Sequence, residues 1–230
     1  GWMGSCSGDS LRPDYELYDA DYSMGFTSRG CPRRCPWCIV PKKEGEIRDH
    51  APLKEFLDPN RKKLILLDNN FLASPNWRKN LETIISLGLT VNFNQGLDIR
   101  LINNENAQLI AQTKTANLTF KTNQIHFAFD HIGYEKAVRR GVKLLEAYEI
   151  HPKRLMFYLL VGYPLVVPPN TDDVLERFEV IRELGADPYV MLFNFRRDEV
   201  WLNRFARWVN RRLYKVCRFD EYSQKREASD

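Results

Sequence analysis

Two rhythms of apolar positions alternate along this chain. Short runs rich in aromatic, β-branched or leucine residues occupy positions 22–27, 63–67, 90–94, 125–129, 154–161 and 189–194, and each has the length and composition of a β-strand. The stretches between them repeat apolar residues every three or four positions, the spacing that gathers side chains on one face of a helix. After the second run, Ser74 and Pro75 read as a cap and a first helical position, Trp77, Leu81, Ile84 and Ile85 as the buried face, and Gly88 as the stop. Thr171, with Asp172 and Asp173 at the positive end of a helix dipole, opens another helix whose stripe is Val174, Phe178 and Ile181 and whose stop is Gly185. Strand, helix, strand in repetition predicts an α/β fold of parallel βα units, either a barrel or a doubly wound sheet. Both architectures gather functional side chains at the carboxyl ends of the strands, so chemistry is expected just after each run.

The last periodic stretch, 200–222, sets Trp201, Phe205 and Trp208 at helical spacing among Arg204, Arg207, Arg211, Arg212, Lys215 and Arg218. It reads as a final helix packing an aromatic stripe on the core, or as a dock for RNA or an acidic protein, since aromatics and cations together suit single strands. The expected organisation is an N-terminal extension over 1–21, a core over 22–198, and a C-terminal helix and tail over 199–230 that pack on that core. A charged fraction of 28% excludes wholesale disorder, and a net charge of +4 tolerates an anionic partner without requiring one. No apolar run approaches membrane-spanning length, and no secretory leader precedes the five cysteines, so a soluble protein of the reducing cytoplasm is expected.

Three of those cysteines, Cys31, Cys35 and Cys38, crowd the loop that follows the first strand, where Gly30, Pro32 and Pro36 allow a tight turn. Cys6 and Cys217 do not repeat the spacing. Three thiols so close suit a metal, and the lack of a fourth nearby points to an iron–sulfur cluster with one open coordination position. A structural zinc site completed by His50 is the alternative. The other strand ends also carry polar groups: Asp68, Asn69 and Asn70 after the second, 94–100 after the third, Asp130 and His131 after the fourth. Each has a plainer reading: a helix-preceding turn for the asparagines, a rim ion pair between Asp98 and Arg100, and a solvated loop histidine for His131.

The run from Gly25 to Lys42, with its Cys-x3-Cys-x2-Cys loop, resembles the signature of the radical S-adenosylmethionine (SAM) superfamily, and its Ser28-Arg29-Gly30-Cys31-Pro32 lead-in is similar to the methylthiotransferase and cobalamin-dependent branches. The resemblance extends over the six βα units. It implies a partial (β/α)6 TIM-like barrel in which Cys31, Cys35 and Cys38 hold an oxygen-sensitive 4Fe-4S cluster whose fourth iron binds the amino and carboxylate groups of SAM. An electron from the reduced cluster then breaks a carbon–sulfur bond of SAM, releasing methionine and a 5′-deoxyadenosyl radical that takes hydrogen from a substrate. By the same resemblance Trp37 lies beside the adenine, although a barrel-mouth aromatic is the simpler alternative. Many members carry Gly-Gly-Glu where this chain has Asp68, Asn69 and Asn70; the departure leaves carboxylate and amide acceptors for the SAM ammonium. Arg100 suits the SAM carboxylate, Asn94, Gln95 or Asp98 the ribose hydroxyls or substrate, Gly162 the adenine, and Asn194 an adenine edge or a substrate. Asp130, His131 and Tyr163 are the candidates for proton handling near the substrate.

No second three-cysteine set is available for sulfur insertion, few residues precede the first strand where a cobalamin domain would lie, and Cys217 stands apart from any auxiliary cluster. A minimal core is expected, its mouth open to a protein, peptide or RNA substrate, with a flavodoxin or ferredoxin as electron donor. The alternatives are an activating enzyme that installs a glycyl radical on a protein, and a non-catalytic metal-binding module.

Overall fold

The computed structural model describes residues 13–17, 19–163, 171–193 and 200–222. Cys6, the proline-rich stretch 164–168 and Asn194 lie outside the described residues. In chain order the elements are β1 (Tyr22–Gly25), β2 (Ser28–Arg29), α1 (Val40–Lys43), β3 (Arg48–Asp49), α2 (Leu53–Phe56), β4 (Lys63–Leu66), α3 (Trp77–Ser86), β5 (Thr90–Phe93), α4 (Asn104–Gln112), β6 (Lys114–Thr115), β7 (Ile125–Ala128), α5 (Glu135–Ala147), β8 (Leu155–Val161), α6 (Thr171–Glu183), β9 (Asp187–Leu192) and α7 (Val200–Asn210).

The major strands are parallel and fall into two sheets, β1-β4-β5-β6 and β7-β8-β9. A single parallel bridge, Leu97 to Phe127, joins them, with the Leu97 N–H donating to the His126 carbonyl at 2.7 Å. Gly96 makes that approach possible: its φ is +81°, and a Cβ there would press to 3.3 Å from the same carbonyl oxygen. The six long strands therefore follow one another in sequence order, the order that successive crossovers of one hand produce. Among the described residues β9 does not pair with β1, so no closed barrel is formed.

Alternation along the strands decides what each face does. Leu64, Leu66, Val91, Phe93, Phe127, Phe157, Leu159 and Val190 share one core with Leu81 and Ile84 of α3, Ala107 and Ile110 of α4, Val138, Val142 and Leu145 of α5, and Phe178 and Ile181 of α6. The opposite face carries Met24, Ile65, Asn92, His126, Ala128, Tyr158, Tyr189 and Met191, and at Met24, Ala128, Tyr189 and Met191 it is open to solvent. A parallel sheet is ordinarily covered on both faces, which makes this open side unusual.

The aromatic stripe of α7 belongs to the core. Phe205 and Trp208 are buried with ring centroids 5.6 and 5.1 Å from Phe178, and the Asn210 side chain grips β9 by accepting from the Val190 N–H at 2.8 Å and donating to its carbonyl at 2.9 Å. Those two rings are thus withdrawn from any stacking with bases. The first strand ends at Gly25 rather than Thr27, the next four are each one residue shorter than expected, and two elements start two residues away from the expected position. Helix α3 starts at Trp77, because Ser74 instead closes a 3-10 turn (Phe71–Ala73) and its hydroxyl donates to Asp49 at 3.2 Å. Strand β9 starts at Asp187, two residues early, because an edge strand accommodates Pro188. Both glycine stops hold, at φ +64° for Gly88 and +71° for Gly185. Among the described residues no helix is long and apolar enough to cross a membrane.

Candidate metal centre

The cysteine loop is a closed excursion from the end of β1. Strands β2 and β3 pair antiparallel, Ser28 with Asp49 and Arg29 with Arg48, and so pin the base of residues 30–47. Asp68, just after β4, fastens that base from below. Its buried carboxylate accepts from the Thr27 N–H (3.1 Å) and hydroxyl (2.7 Å) and from the Ser28 N–H and hydroxyl (both 2.6 Å). The residue expected to receive an ammonium is therefore occupied in holding the lead-in to the loop. Glu44 does the same work from within: it accepts from the Gly30 N–H at 3.0 Å and Asn69 Nδ2 at 2.7 Å and pairs with Arg29 at 3.1 Å. Gly30 is required as glycine, with φ +80° and a Cβ position that collides with the Glu46 carbonyl.

Cys31, Cys35 and Cys38 are unpaired, half-buried, and together line one cavity of about 380 Å³, closed by Arg34, Pro36, Pro41, Lys42, Gly45 and Glu46. Burial pushes the Cys35 thiol up, the Arg100 guanidinium opposes that, and Cys38, Asp130 and Cys31 reinforce it. The Cys31 sulfur receives two N–H groups, from the Arg33 backbone at 3.4 Å and from Asn70 Nδ2 at 3.6 Å. Asn70 is buried; its Nδ2 also lies 3.4 Å from Asp98 Oδ2, and its Oδ1 has no donor among the described residues. Among the described residues no three His, Cys, Asp or Glu side chains converge as they would around one ion. A cluster makes a different demand, since each thiolate takes its own iron and the sulfurs stand farther apart. His50, the fourth ligand of the zinc alternative, does not line the cavity; its ring meets the edge of Phe26 at 6.3 Å.

Asp98 organises the next layer. Arg100 clasps it with Nε at 2.7 Å and Nη2 at 3.0 Å, while Arg33 reaches it from the cysteine loop at 2.9 Å. Burial alone would raise the Asp98 carboxyl, but the hydrogen bonds and charges of Arg100 and Arg33 hold it below the usual carboxylate range. The Asp98–Arg100 pair foreseen on the rim is thus formed, but with the Asp98 side chain only 6% exposed it is an interior pair. Arg100 also lies 4.4 Å over the ring of Tyr134. Its Nε and Nη2 are both engaged by Asp98, so the fork expected for a ligand carboxylate is turned inward.

The loop then reaches the far sheet. Tyr163, after β8, donates its hydroxyl to the Pro36 carbonyl at 2.8 Å; Trp37 meets Tyr163 edge-on at 6.0 Å, and Tyr163 meets Phe193, after β9, at 4.7 Å. Asp130, after β7, accepts from the Leu160 N–H at 3.1 Å, and burial raises its carboxyl against the lowering pull of that bond, Arg177 and Arg100. The ends of β4, β5 and β8, from both sheets, therefore contact one loop, and that of β9 backs it through Tyr163. Other expected residues stay outside this network. His131 accepts the Gly133 N–H at 3.0 Å as a turn cap, Gln95 is exposed, Asn94 extends the ladder to Leu66 through its backbone N–H, and Gly162 has the positive φ of a tight turn. Glu44, Arg33, Arg177 and Tyr134 went unforeseen; a lone charge or ring in a loop carries no spacing signal.

The chain matches no family model, and no curated protein or solved structure matches it.

Proposed function

We propose that this protein is a radical SAM enzyme on a partial (β/α)6 barrel, with Cys31, Cys35 and Cys38 as the three ligands of a 4Fe-4S cluster. The carrying observation is the cavity lined by all three thiols at the carboxyl end of the first of six parallel strands; Asn70, which donates to the Cys31 sulfur, has a buried side-chain oxygen with no donor among the described residues. Such an orphan acceptor costs about 1–3 kcal/mol unless a donor reaches it, and an ammonium is a donor without acceptor capacity. Held by Cys31, Cys35 and Cys38, a cluster of this kind would supply the electron for reductive cleavage of SAM.

The residues of this chain supply position and electrostatics. Asp68 and Glu44 hold the loop's backbone, Asp98 ties the loop through Arg33 to the end of β5, and Trp37 with Tyr163 walls off one side. Arg100 keeps positive charge beside Cys35, and burial raises the Asp130 carboxyl, which also feels that charge. The open face bearing Met24, Ala128, Tyr189 and Met191 suits a large substrate, a protein, peptide or RNA segment, that would cover it and exclude water. Unpaired thiols and a low-potential centre fit a reducing cytoplasm with a flavodoxin or ferredoxin as donor.

Anaerobic reconstitution with iron and sulfide tests the reading. A brown protein with about four irons and four sulfides per chain that forms 5′-deoxyadenosine from SAM under strong reductant is expected. Purified, oxygen-protected protein holding zinc and no sulfide would overturn it.

A further inference from the structure

We propose that the open face of the two sheets receives a protein segment, and not RNA, through uncharged apolar and aromatic side chains, a choice of substrate class that rests on the enzyme reading above. Met24, Ala128, Tyr189 and Met191 are exposed there, on a side that parallel sheets ordinarily keep covered. Cross-strand register makes the patch continuous. Ala128, Tyr158 and Tyr189 are aligned over β7, β8 and β9, and the two tyrosine rings meet edge-on at 5.9 Å. Burial pushes the Tyr158 phenol up, so that ring stays uncharged.

Charge decides against a phosphate backbone. A nucleic acid single strand is held by cations that track its phosphates as well as by stacking. On this side the six long strands carry one cation, Lys63, which shares the face of Ile65; it is paired with Asp21 and lies 5.5 Å over the ring of Phe120. Their one acid, Asp187, is paired with Arg212 at 2.8 Å. Arg33 and Arg100, which meet the end of β5, are both turned onto Asp98. An occupant is therefore offered apolar surface and ring faces, the complement of side chains such as Leu, Val and Phe.

The sheet edges fix how such a segment is held. An extended peptide commonly adds a strand to an open edge through its main chain. Here both outer edges are filled at mid-strand by side chains of this chain. On β1 the Tyr15 hydroxyl accepts from the Met24 N–H at 3.0 Å and lies at the same distance from the Met24 carbonyl. On β9 the Asn210 amide takes both Val190 backbone groups, at 2.8 and 2.9 Å, and Pro188 has no N–H to offer. The segment is thus gripped by its side chains, without strand addition.

Three of the four methionines, Met24, Met156 and Met191, lie on this side and report on it directly. Protein carrying 13C in its methionine methyl groups, before and after reconstitution with iron and sulfide, is titrated by nuclear magnetic resonance with two probes. One is a peptide with a centre of Leu, Phe and Val between charged ends, the other an oligouridylate of equal length. The peptide should shift the methyl signals of Met24, Met156 and Met191, and the oligouridylate should leave them in place. A peptide N-methylated at alternate residues, which cannot join a strand edge, should bind as tightly as its parent. Met191→Lys, at a position 46% exposed and so open to a charge in the free protein, should weaken the peptide about tenfold, because the occupant would bury an unpaired ammonium. Methyl signals unmoved by millimolar peptide, or moved by the oligouridylate, overturn the proposal, and loss of binding on N-methylation overturns the side-chain grip. Peptide-induced shifts in protein that takes up no iron and sulfide uphold the docking face and remove the enzyme reading, so the two failures are read separately.

Discussion

The two sheets are built from the same βα unit and spend their strand ends differently. Around β1, β4 and β5 the carboxyl ends are polar and mutually engaged: Asp68 takes four hydrogen bonds, Asp98 holds two arginines, and Asn70 bridges Cys31 and Asp98. Around β8 and β9 the emphasis is apolar, with Phe157, Phe178, Phe205 and Trp208 buried in the core and Tyr163 and Phe193 meeting edge to face beyond the strand ends. The first half thus fixes a site and the second supplies packing and one wall. Polar networks are directional and position groups; apolar contacts are numerous, tolerant of angle and stabilising.

Breaking the first half where chemistry is concentrated should give the largest effect. Cys31→Ala, Cys35→Ala or Cys38→Ala should each abolish iron and sulfide uptake while leaving the urea midpoint near wild type; cluster absorbance retained in any of them contradicts the ligand assignment. The second half should respond in the opposite sense. Phe178→Ala removes a ring packed on Phe205, Trp208 and Tyr214 and should lower unfolding free energy by about 3–5 kcal/mol in urea melts. A loss below about 1 kcal/mol would show that the aromatic cluster is not the anchor of that half.

Asp68→Asn sharpens the comparison, because it trades one acceptor oxygen for a donor among four donors. It should cost about 1–3 kcal/mol and also lower iron uptake, joining stability to the site in a way that Phe178→Ala does not. The smallest effect concerns His126, buried where the two sheets meet, with Nε2 on Gln124 at 3.1 Å and burial holding its pKa below the usual histidine range. The unfolded chain then takes up a proton first as pH falls through about 6.5, so folding stability is full above that pH and declines below it. His126→Gln should flatten that decline in urea melts at pH 7.5 and 5.5; an unchanged slope would place the titrating group elsewhere.

All six expected strands are present because buried strands gather aromatic, β-branched and leucine residues into short runs, and Gly88 and Gly185 were readable as stops because only glycine takes a positive φ cheaply. The two-residue strands β2, β3 and β6 were invisible, being too short for any period. In the site, the cysteines announced themselves by spacing. The work of Asp68 did not: a carboxylate after a strand looks alike whether it meets a ligand or two backbone amides.

Order along the chain was enough to specify parallel βα units and a three-thiol loop at the end of the first strand, since periodicity, turn residues and ligand spacing are properties of near neighbours. Which polar groups remain available for a ligand was decided only in three dimensions. Asp68 meets Thr27 across 41 positions, Asn70 meets Cys31 across 39, and Tyr163 meets Pro36 across 127. Whether a buried donor or acceptor is satisfied depends on partners that only the folded chain brings within reach, which is why Asp68 is consumed and one oxygen of Asn70 is left over.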